Sequence, residues 1–423
     1  MTEESHVVIV GAGFAGLACA KALGNVPVRV TVIDRANYHL FVPLLYQVAT
    51  AALSPADIAR PIRRILGRYR NINVVLGDVT GIDTQARTVR TSAGQVFTYD
   101  RLVVATGSRY SYFGHSEWAA NAKGPRSLED ARFIRTKLLT AFERADATKD
   151  AAERDRLMTM IVVGGGPTGV EMAGAVAELA RHSLARDFRR IDPRQARILL
   201  VEASPRLLAS FPQSLADYAE RELRKLGVEV LLGKPVENIT AQGAMVGGKM
   251  IEAATVVWGA GIEAAPGVKM LGVPLDRLGR VAVAADLSVP DLPGVYVLGD
   301  SSVALGKDGK PLPALAQVAA QQGDYLGRAL AARFRGKDVK PFRFHNRGNT
   351  AVIGRNAAVF DFGSWRLKGR VAWVLWALVH IYLLVGFENR LSVALRWVWR
   401  YITGESGARL ITPSAAPQET PNQ

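Results

Sequence analysis

Two stretches carry the residue types and spacing that bind dinucleotides. The first is Gly11-Ala12-Gly13-Phe14-Ala15-Gly16, which follows the apolar run His6-Val7-Val8-Ile9-Val10 and opens a helical segment at Leu17. Its first glycine permits a tight turn, the second lets a pyrophosphate approach the backbone, and the third lets helix and strand pack closely. The phosphates then sit on the helix N-terminus, where unpaired N–H groups and the positive dipole end face them. A carboxylate should follow at the end of the next strand to hold a ribose, and Asp34 closes Arg29-Val30-Thr31-Val32-Ile33, with Arg35 beside it. The second stretch, 153 residues later, is Gly164-Gly165-Gly166-Pro167-Thr168-Gly169, after the apolar run Met158–Val163 and before Val170-Glu171-Met172. Its acidic partner is Glu202, after Arg197-Ile198-Leu199-Leu200-Val201. That gap is about twice the usual 20 residues, the excess being the basic stretch Arg181–Arg194. A carboxylate here pairs with a free ribose 2′-hydroxyl and repels a 2′-phosphate, favouring NADH over NADPH, with Arg206 a nearby countervailing charge.

Two further turns suit close approach of a ligand. Arg101-Leu102-Val103-Val104 runs into Ala105-Thr106-Gly107, and Ala254–Trp258 runs into Gly259-Ala260-Gly261. Val295–Leu298 delivers Gly299-Asp300, whose carboxylate can hold a polyol hydroxyl such as the ribityl chain of FAD. Gly299-Asp300 returns the chain to the first fingerprint, so the second nucleotide domain is inserted in the first. The expected class is α/β, with two Rossmann-like domains: 1–118 with 267–345 for FAD, and 119–266 for NADH. A resident flavin would take hydride from a transient nicotinamide.

The elements between these motifs are read more coarsely. Asn37–Thr50 is too apolar for an exposed loop and lacks periodicity, giving a buried loop that lines a pocket or a packed crossover. Residues 72–100 read as short antiparallel strands, and Ser127–Arg156 as a linker with a charged helix. Gln317 and Gln321 lie one helical turn apart, which by itself describes a solvated face.

With 423 residues and 49% hydrophobic content the chain supports several domains, and its +15 formal charge calls for an acidic partner surface. The one cysteine, Cys19, lies in the first fingerprint helix. It excludes a disulfide framework, a Cys-ligated metal site, and the cysteine chemistry of disulfide reductases and sulfide:quinone oxidoreductases; no metal site is expected. Five of the seven tryptophans (Trp365, Trp373, Trp376, Trp397, Trp399) fall near the C-terminus. There Val371–Phe387 is almost continuously apolar, at the short end for a bilayer span. The next segment puts Leu391, Leu395, Val398 and Ile402 on one face and Arg396 and Arg400 on another, with Arg366, Lys368, Arg370 and Arg390 alongside. Aromatic, apolar and basic residues together describe helices lying in an anionic membrane interface, here residues 346–403. A buried hairpin or a homodimer interface is the alternative. The basic residues are spread out or sit beside these aromatics, which favours lipid over nucleic acid. Residues 404–423 are small, polar and Pro-bearing, and are expected to be a disordered tail.

Taken together, the chain resembles the type II NADH dehydrogenases, single-subunit NADH:quinone oxidoreductases of respiratory membranes. The specific stretches are Phe41-Val42-Pro43-Leu44-Leu45-Tyr46-Gln47-Val48-Ala49-Thr50 and Ala316-Gln317 through Gln321; the glycine turns belong to a wider superfamily. The resemblance implies non-covalent FAD, NADH as co-substrate, and a membrane quinone as electron acceptor without proton pumping. It implies location on the cytoplasmic face of a bacterial inner membrane, peripheral or monotopic. It also implies that Gln317, Gln321 and Tyr46 line the quinone site, with Gln317 against the flavin. Glu171 would lie near flavin and nicotinamide; otherwise it is a helix-start carboxylate stabilised by the dipole. Ala320 stands where some members have histidine. A soluble flavin or ferredoxin-type reductase of the same fold is the main rival.

Overall fold

The computed structural model describes residues 5–403 and 407–411. In chain order, β1 (His6–Val10), α1 (Phe14–Ala22) and β2 (Arg29–Asp34) lead into a short buried helix, α2 (Leu45–Ala49), and then β3 (Ile72–Leu76) and β4 (Arg101–Val104). Next come β5 (Ala122–Lys123), α3 (Leu128–Ala147), β6 (Thr159–Val163), α4 (Pro167–Glu178), β7 (Arg197–Val201), α5 (Gln213–Lys225), β8 (Val228–Leu231) and β9 (Thr255–Trp258). The chain ends with β10 (Val295–Val297), α6 (Ala316–Arg333), β11 (Asn349–Gly354), β12 (Ala357–Asp361), β13 (Arg366–Lys368), α7 (Arg370–Leu383) and α8 (Phe387–Thr403).

These elements form two compact units. The first comprises residues up to 40, 59–109 and 262–347, and is built on a five-stranded parallel sheet ordered β10-β4-β1-β2-β3. Both faces of this sheet are covered, which is why its strands read as unbroken apolar runs rather than alternating ones. Val7 and Ile9 of β1 pack with Leu17, Leu326 and Leu330 on one side, and Val8 and Val10 pack with Leu102, Val297 and Leu271 on the other. Helices α1 and α6 meet almost backbone to backbone, since a Cβ at Gly323 would lie 2.0 Å from the carbonyl oxygen of Ala15.

The second unit comprises 41–58, 110–261 and 348 onward, on a parallel sheet ordered β5-β9-β6-β7-β8. Its four strands β9-β6-β7-β8 repeat the order β4-β1-β2-β3 of the first sheet, the outer strand coming first in the chain here and last there. In each the strand order reverses beside the strand that carries the glycine fingerprint. The crevice at such a switch point is where open α/β sheets bind ligands. The α/β class with two Rossmann-like sheets is as expected. The expected domain limits fall at 118, 266 and 345, whereas the units divide at 109/110, 261/262 and 347/348, with 41–58 grouped in the second.

Three local expectations differ from the structure. Asn37–Thr50 is not loop: Tyr38–Leu40 pairs antiparallel with Ala59–Pro61, Val42–Leu44 is a 3-10 turn, and α2 follows. All five side chains of α2 are buried, so no polar face exists to mark a helical period. Ile72–Leu76 is the parallel edge strand β3, while only Val79–Asp83, Thr88–Thr91 and Val96–Thr98 form the antiparallel sheet. Residues 349–368, read as part of a helical region, form the antiparallel sheet β11-β12-β13, turned at Asn356 with φ +64°. The expected charged helix is α3, opened by a capping box between Ser127 and Asp130.

No helix among the described residues is long and apolar enough to cross a membrane. Helix α7 has 14 residues and so rises about 21 Å against a hydrocarbon core of about 30 Å. Of the expected disordered tail, Gly407–Ile411 is held in place: the Ala408 N–H donates to Ala51 and the Arg409 guanidinium pairs with Asp187. The remainder of 404–423 lies outside the described residues.

Candidate active site

The first unit gathers its expected cofactor residues around the C-terminal end of β1. Gly11 has φ +98°, and a Cβ there would lie 2.4 Å from the Ala105 carbonyl oxygen, so the fingerprint turn and the Ala105-Thr106-Gly107 turn lie side by side. A Cβ on Gly16 would lie 1.8 Å from the Gly11 carbonyl oxygen, whereas Gly13 has nothing within 4 Å. Gly13 is also the N-cap of α1, which has no side-chain cap and no acidic residue in its first turn. Its N–H groups are thus left for an anion. Phe14 and Ala15 form the first turn of α1; Arg35 is exposed. The Asp34 carboxylate accepts from Ala12 N (2.6 Å) and Ala36 N (2.8 Å), fixing it beside the glycine loop. Burial raises its pKa against these two hydrogen bonds.

The third part of this site is the turn after β10. Gly299 N donates to Oε1 of Gln322 at 2.6 Å. Ser301 Oγ donates to the Gly107 carbonyl at 2.8 Å, and Ser108 Oγ donates to Asp300 at 2.5 Å. Gln322, Ser108 and Ser301 therefore hold the Gly299-Asp300 turn against the Ala105–Gly107 turn. Sequence reasoning missed them, and it missed His39. His39 is buried in β-structure with Nδ1 3.0 Å from the Ala12 carbonyl and its ring edge-on to Phe14 at 5.2 Å. Burial drives its pKa down to about 4, leaving a neutral ring that donates to the glycine loop.

Gln317 and Gln321 do lie one turn apart at the start of α6, but they do not form a solvated face. Gln321 pairs with the backbone of His345 through both amide atoms (2.9 and 3.0 Å), and Gln317 accepts from Arg347 N at 3.0 Å. Together they clamp extended chain at 345–347.

In the second unit the same construction recurs. Gly164 has φ +106° and a Cβ would lie 2.8 Å from Ala260 N; a Cβ on Gly169 would lie 1.7 Å from the Gly164 carbonyl oxygen; Gly166 again has nothing within 4 Å. Gly166 is the uncapped N-cap of α4, followed by Pro167 and Thr168, and Pro is well tolerated there because its missing N–H is an orphan anyway. The Glu202 carboxylate accepts from Gly165 N and Ser204 N, the same pair of positions that Asp34 uses. Arg206, the countervailing charge, is engaged by the Ala209 and Phe211 carbonyls and Gln213. The Gly259-Ala260-Gly261 turn is tied back to the fingerprint strand by Gly259 N to Val163 O at 2.7 Å.

Tyr46 and Glu171, distant in sequence, line one cavity of about 100 Å³ within the second unit, with Gln47, Trp373, Trp376 and Trp397. Helix α2 supplies Tyr46 and Gln47, α4 supplies Glu171, and α7 and α8 supply the tryptophans. Glu171 does not behave as a dipole-stabilised helix-start carboxylate: burial pushes its pKa up to about 8, and the Val352 N–H at 3.4 Å is too distant to offset that. Trp397 Nε1 donates to Gln47 Oε1 (2.9 Å), and Gln47 Nε2 donates to the Tyr46 hydroxyl (2.9 Å). This relay from α8 to α2 was not expected from sequence; Gln47, inside the distinctive 41–50 stretch and 5% exposed, was its available signal.

Helix α8 docks by its polar side. Asn389 donates to the Ala56 and Asp57 carbonyls, Ser392 donates to the Asp57 carboxylate, and Arg396 pairs with Asp57 at 3.2 Å. Its apolar residues Leu391, Leu395, Val398 and Ile402 are exposed, Ile402 by 74%. Helix α7 exposes Val371, Val374, Leu378 and Tyr382, also three or four residues apart. A buried hairpin is thereby ruled out, because both apolar stripes face outward.

Residues 5–323 match the family model for pyridine nucleotide-disulphide oxidoreductases. A type II NADH:quinone oxidoreductase of Mycobacterium tuberculosis is 40% identical, covering 96% of this chain and 89% of that one, and a second from the same organism is 39% identical over 98% and 92%. In fold, the chain is similar to the NADH complex of NDH2 from Plasmodium falciparum, with a TM-score of 0.87, 19% identity, and coverage of 97% and 100%. The disulphide of the broader family's name has no counterpart here, since the single Cys19 is buried and its thiol pushed up to about 12. The chain belongs to the pyridine nucleotide-disulphide oxidoreductase family and, within it, to the type II NADH:quinone oxidoreductases.

Proposed function

We propose that this protein is a non-proton-pumping, FAD-dependent NADH:quinone oxidoreductase bound to the cytoplasmic face of a bacterial membrane. The observation that carries this reading is the cavity of Tyr46, Glu171 and the C-terminal tryptophans, walled by two helices whose apolar stripes face outward. A lipid-soluble acceptor could reach such a cavity from a membrane. A soluble reductase would have no use for that wall, and a disulfide-linked acceptor is excluded by the lone cysteine.

Bound FAD supplies a hydride acceptor that can pass two electrons onward. The residues fit it: the open space at Gly13, the uncapped N-terminus of α1 and the carboxylates of Asp34 and Asp300 would hold its pyrophosphate, ribose and ribityl hydroxyls. Thr106 and Gly107 stand beside that turn. The uncapped start of α4 would take the pyrophosphate of NADH, with Gly166, Pro167 and Thr168 against it and Ala260 and Gly261 alongside. Glu202 would accept from its adenosine ribose, disfavouring a 2′-phosphate. Glu171 keeps its carboxyl protonated at neutral pH, so a proton is at hand in the cavity wall. Tyr46 would contact the quinone in the cavity; Gln317 and Gln321 are assigned to the quinone by the family resemblance, and their amide bonds to the 345–347 backbone fix their orientation.

Membrane attachment follows from the exposed stripes. Each large aliphatic side chain moved from water to hydrocarbon contributes roughly 1.5–3 kcal/mol, and the neighbouring basic residues add attraction to anionic lipid. Anaerobic reduction of the purified flavoprotein with one equivalent of NADH, followed by a short-chain quinone, tests the reading. Rapid flavin reoxidation by quinone supports it; bleaching by NADH with no reoxidation would move the protein to the soluble reductases.

A further inference from the structure

We propose that the indole N–H of Trp376 donates a hydrogen bond to a carbonyl oxygen of the bound quinone. This rests on the cavity being the quinone site. Trp376 is 3% exposed, its ring lines the cavity, and its Nε1 has no acceptor among the described residues. Buried polar groups are almost always partnered, and one that is not needs a reason; a donor waiting for a substrate oxygen is such a reason. Among the described residues, the other indole N–H groups with protein partners are spent: Trp397 on Gln47, Trp258 on Ser111, Trp118 on Asn238.

The ring is also held still. Trp397 stacks on it with centroids 5.0 Å apart and planes 28° apart, and the His380 imidazole lies 4.5 Å away at 31°. His380 is itself anchored, Nδ1 lying 2.8 Å from the Trp376 carbonyl, and burial keeps it neutral. The N–H therefore points in a direction set by packing, and a flat acceptor can lie against the same aromatic wall. The hydrogen bond strengthens as the carbonyl oxygen gains charge on taking up electrons, and no proton leaves the indole.

The test uses the FAD-loaded enzyme and a short-chain benzoquinone. Trp376→Phe removes the donor, and Trp376→3-benzothienylalanine removes it while keeping the bicyclic shape. Losing one neutral hydrogen bond should raise KM for the quinone about three- to tenfold in both variants. NADH reduction of the flavin and NADH:ferricyanide turnover should stay unchanged. In 15N-tryptophan-labelled enzyme, the indole resonance missing from Trp376→Phe should move when the quinone is added. An unchanged KM in the benzothienyl variant, or an indole resonance unmoved by saturating quinone, overturns the proposal. A wild-type enzyme that fails to reduce the quinone at all overturns the oxidoreductase reading instead.

Discussion

Replacing Glu171 with Gln should change how stability depends on pH. Burial lifts this carboxyl from its ordinary value of 4.5 to about 8, so between those values the unfolded chain ionises while the folded one keeps its proton. The folded state then binds more protons, and stability falls as pH rises. Below about pH 4.5 both states are neutral and nothing is lost; above about pH 8 both are charged and the cost is complete. At 1.36 kcal/mol per pKa unit the full cost is roughly 5 kcal/mol, and water entering the cavity brings it to roughly 3–5 kcal/mol. For a chain of this length that corresponds to about 3–5 °C in Tm. Glu178, His182 and Arg355 line the same cavity and are common to both proteins, so they cancel in the difference. The assay is thermal unfolding of wild type and Glu171→Gln from pH 5 to pH 9 at one scan rate. The variant should gain on the wild type steadily from pH 5 to pH 8 and then hold its lead. Two parallel curves across that range would refute the buried, protonated carboxyl.

Four further outcomes are expected. Gly169→Ala places a methyl group 1.7 Å from the Gly164 carbonyl oxygen, so the purified protein should stay yellow while its reduction by NADH collapses; normal reduction would count against the second fingerprint. Glu202→Gln removes the charge and keeps an acceptor for only one of Gly165 N and Ser204 N, which hold different carboxylate oxygens; it should raise the NADPH:NADH ratio of kcat/KM at least about tenfold. Gln322→Leu strands the Gly299 N–H, which at roughly 1–3 kcal/mol should lower both Tm and the fraction of FAD retained after gel filtration. Changing Leu391, Leu395, Val398 and Ile402 together to Ser should abolish flotation with anionic liposomes. If that change instead halves the mass seen by light scattering, the stripe is a homodimer interface.

The outer glycines of each turn were readable because the packing there admits almost no substitute, and the acidic residues because each closes a strand, where its carboxylate accepts from the glycine loop. Both parallel sheets were readable because strands buried on two faces must be apolar throughout. The residues that lock these turns were not. Gln322, Ser108 and Ser301 act on partners up to 194 positions away, and nothing in their own neighbourhood reports it. Helix α2 escaped because five buried residues have no face to compare. The tryptophans near the C-terminus were visible as a cluster, yet Trp376 and Trp397 turn inward while Trp399 stays 62% exposed. Composition shows the cluster; only packing divides it.

The two proposed nucleotide sites also differ in a way that bears on which ligand stays. Each has an uncapped helix, an open second glycine, and a carboxylate accepting from the loop and from the residue two beyond itself. The first adds a third turn, Gly299–Ser301, which Gln322 holds from α6 and which Ser301 and Ser108 bind to the Ala105–Gly107 turn. The second has its fingerprint and the Gly259–Gly261 turn alone. A ligand gripped by three turns, one carrying its own carboxylate, dissociates far more slowly than one gripped by two, since most differences in affinity reside in the off-rate. The first construction suits a cofactor that remains through turnover, the second a donor that must leave after each hydride.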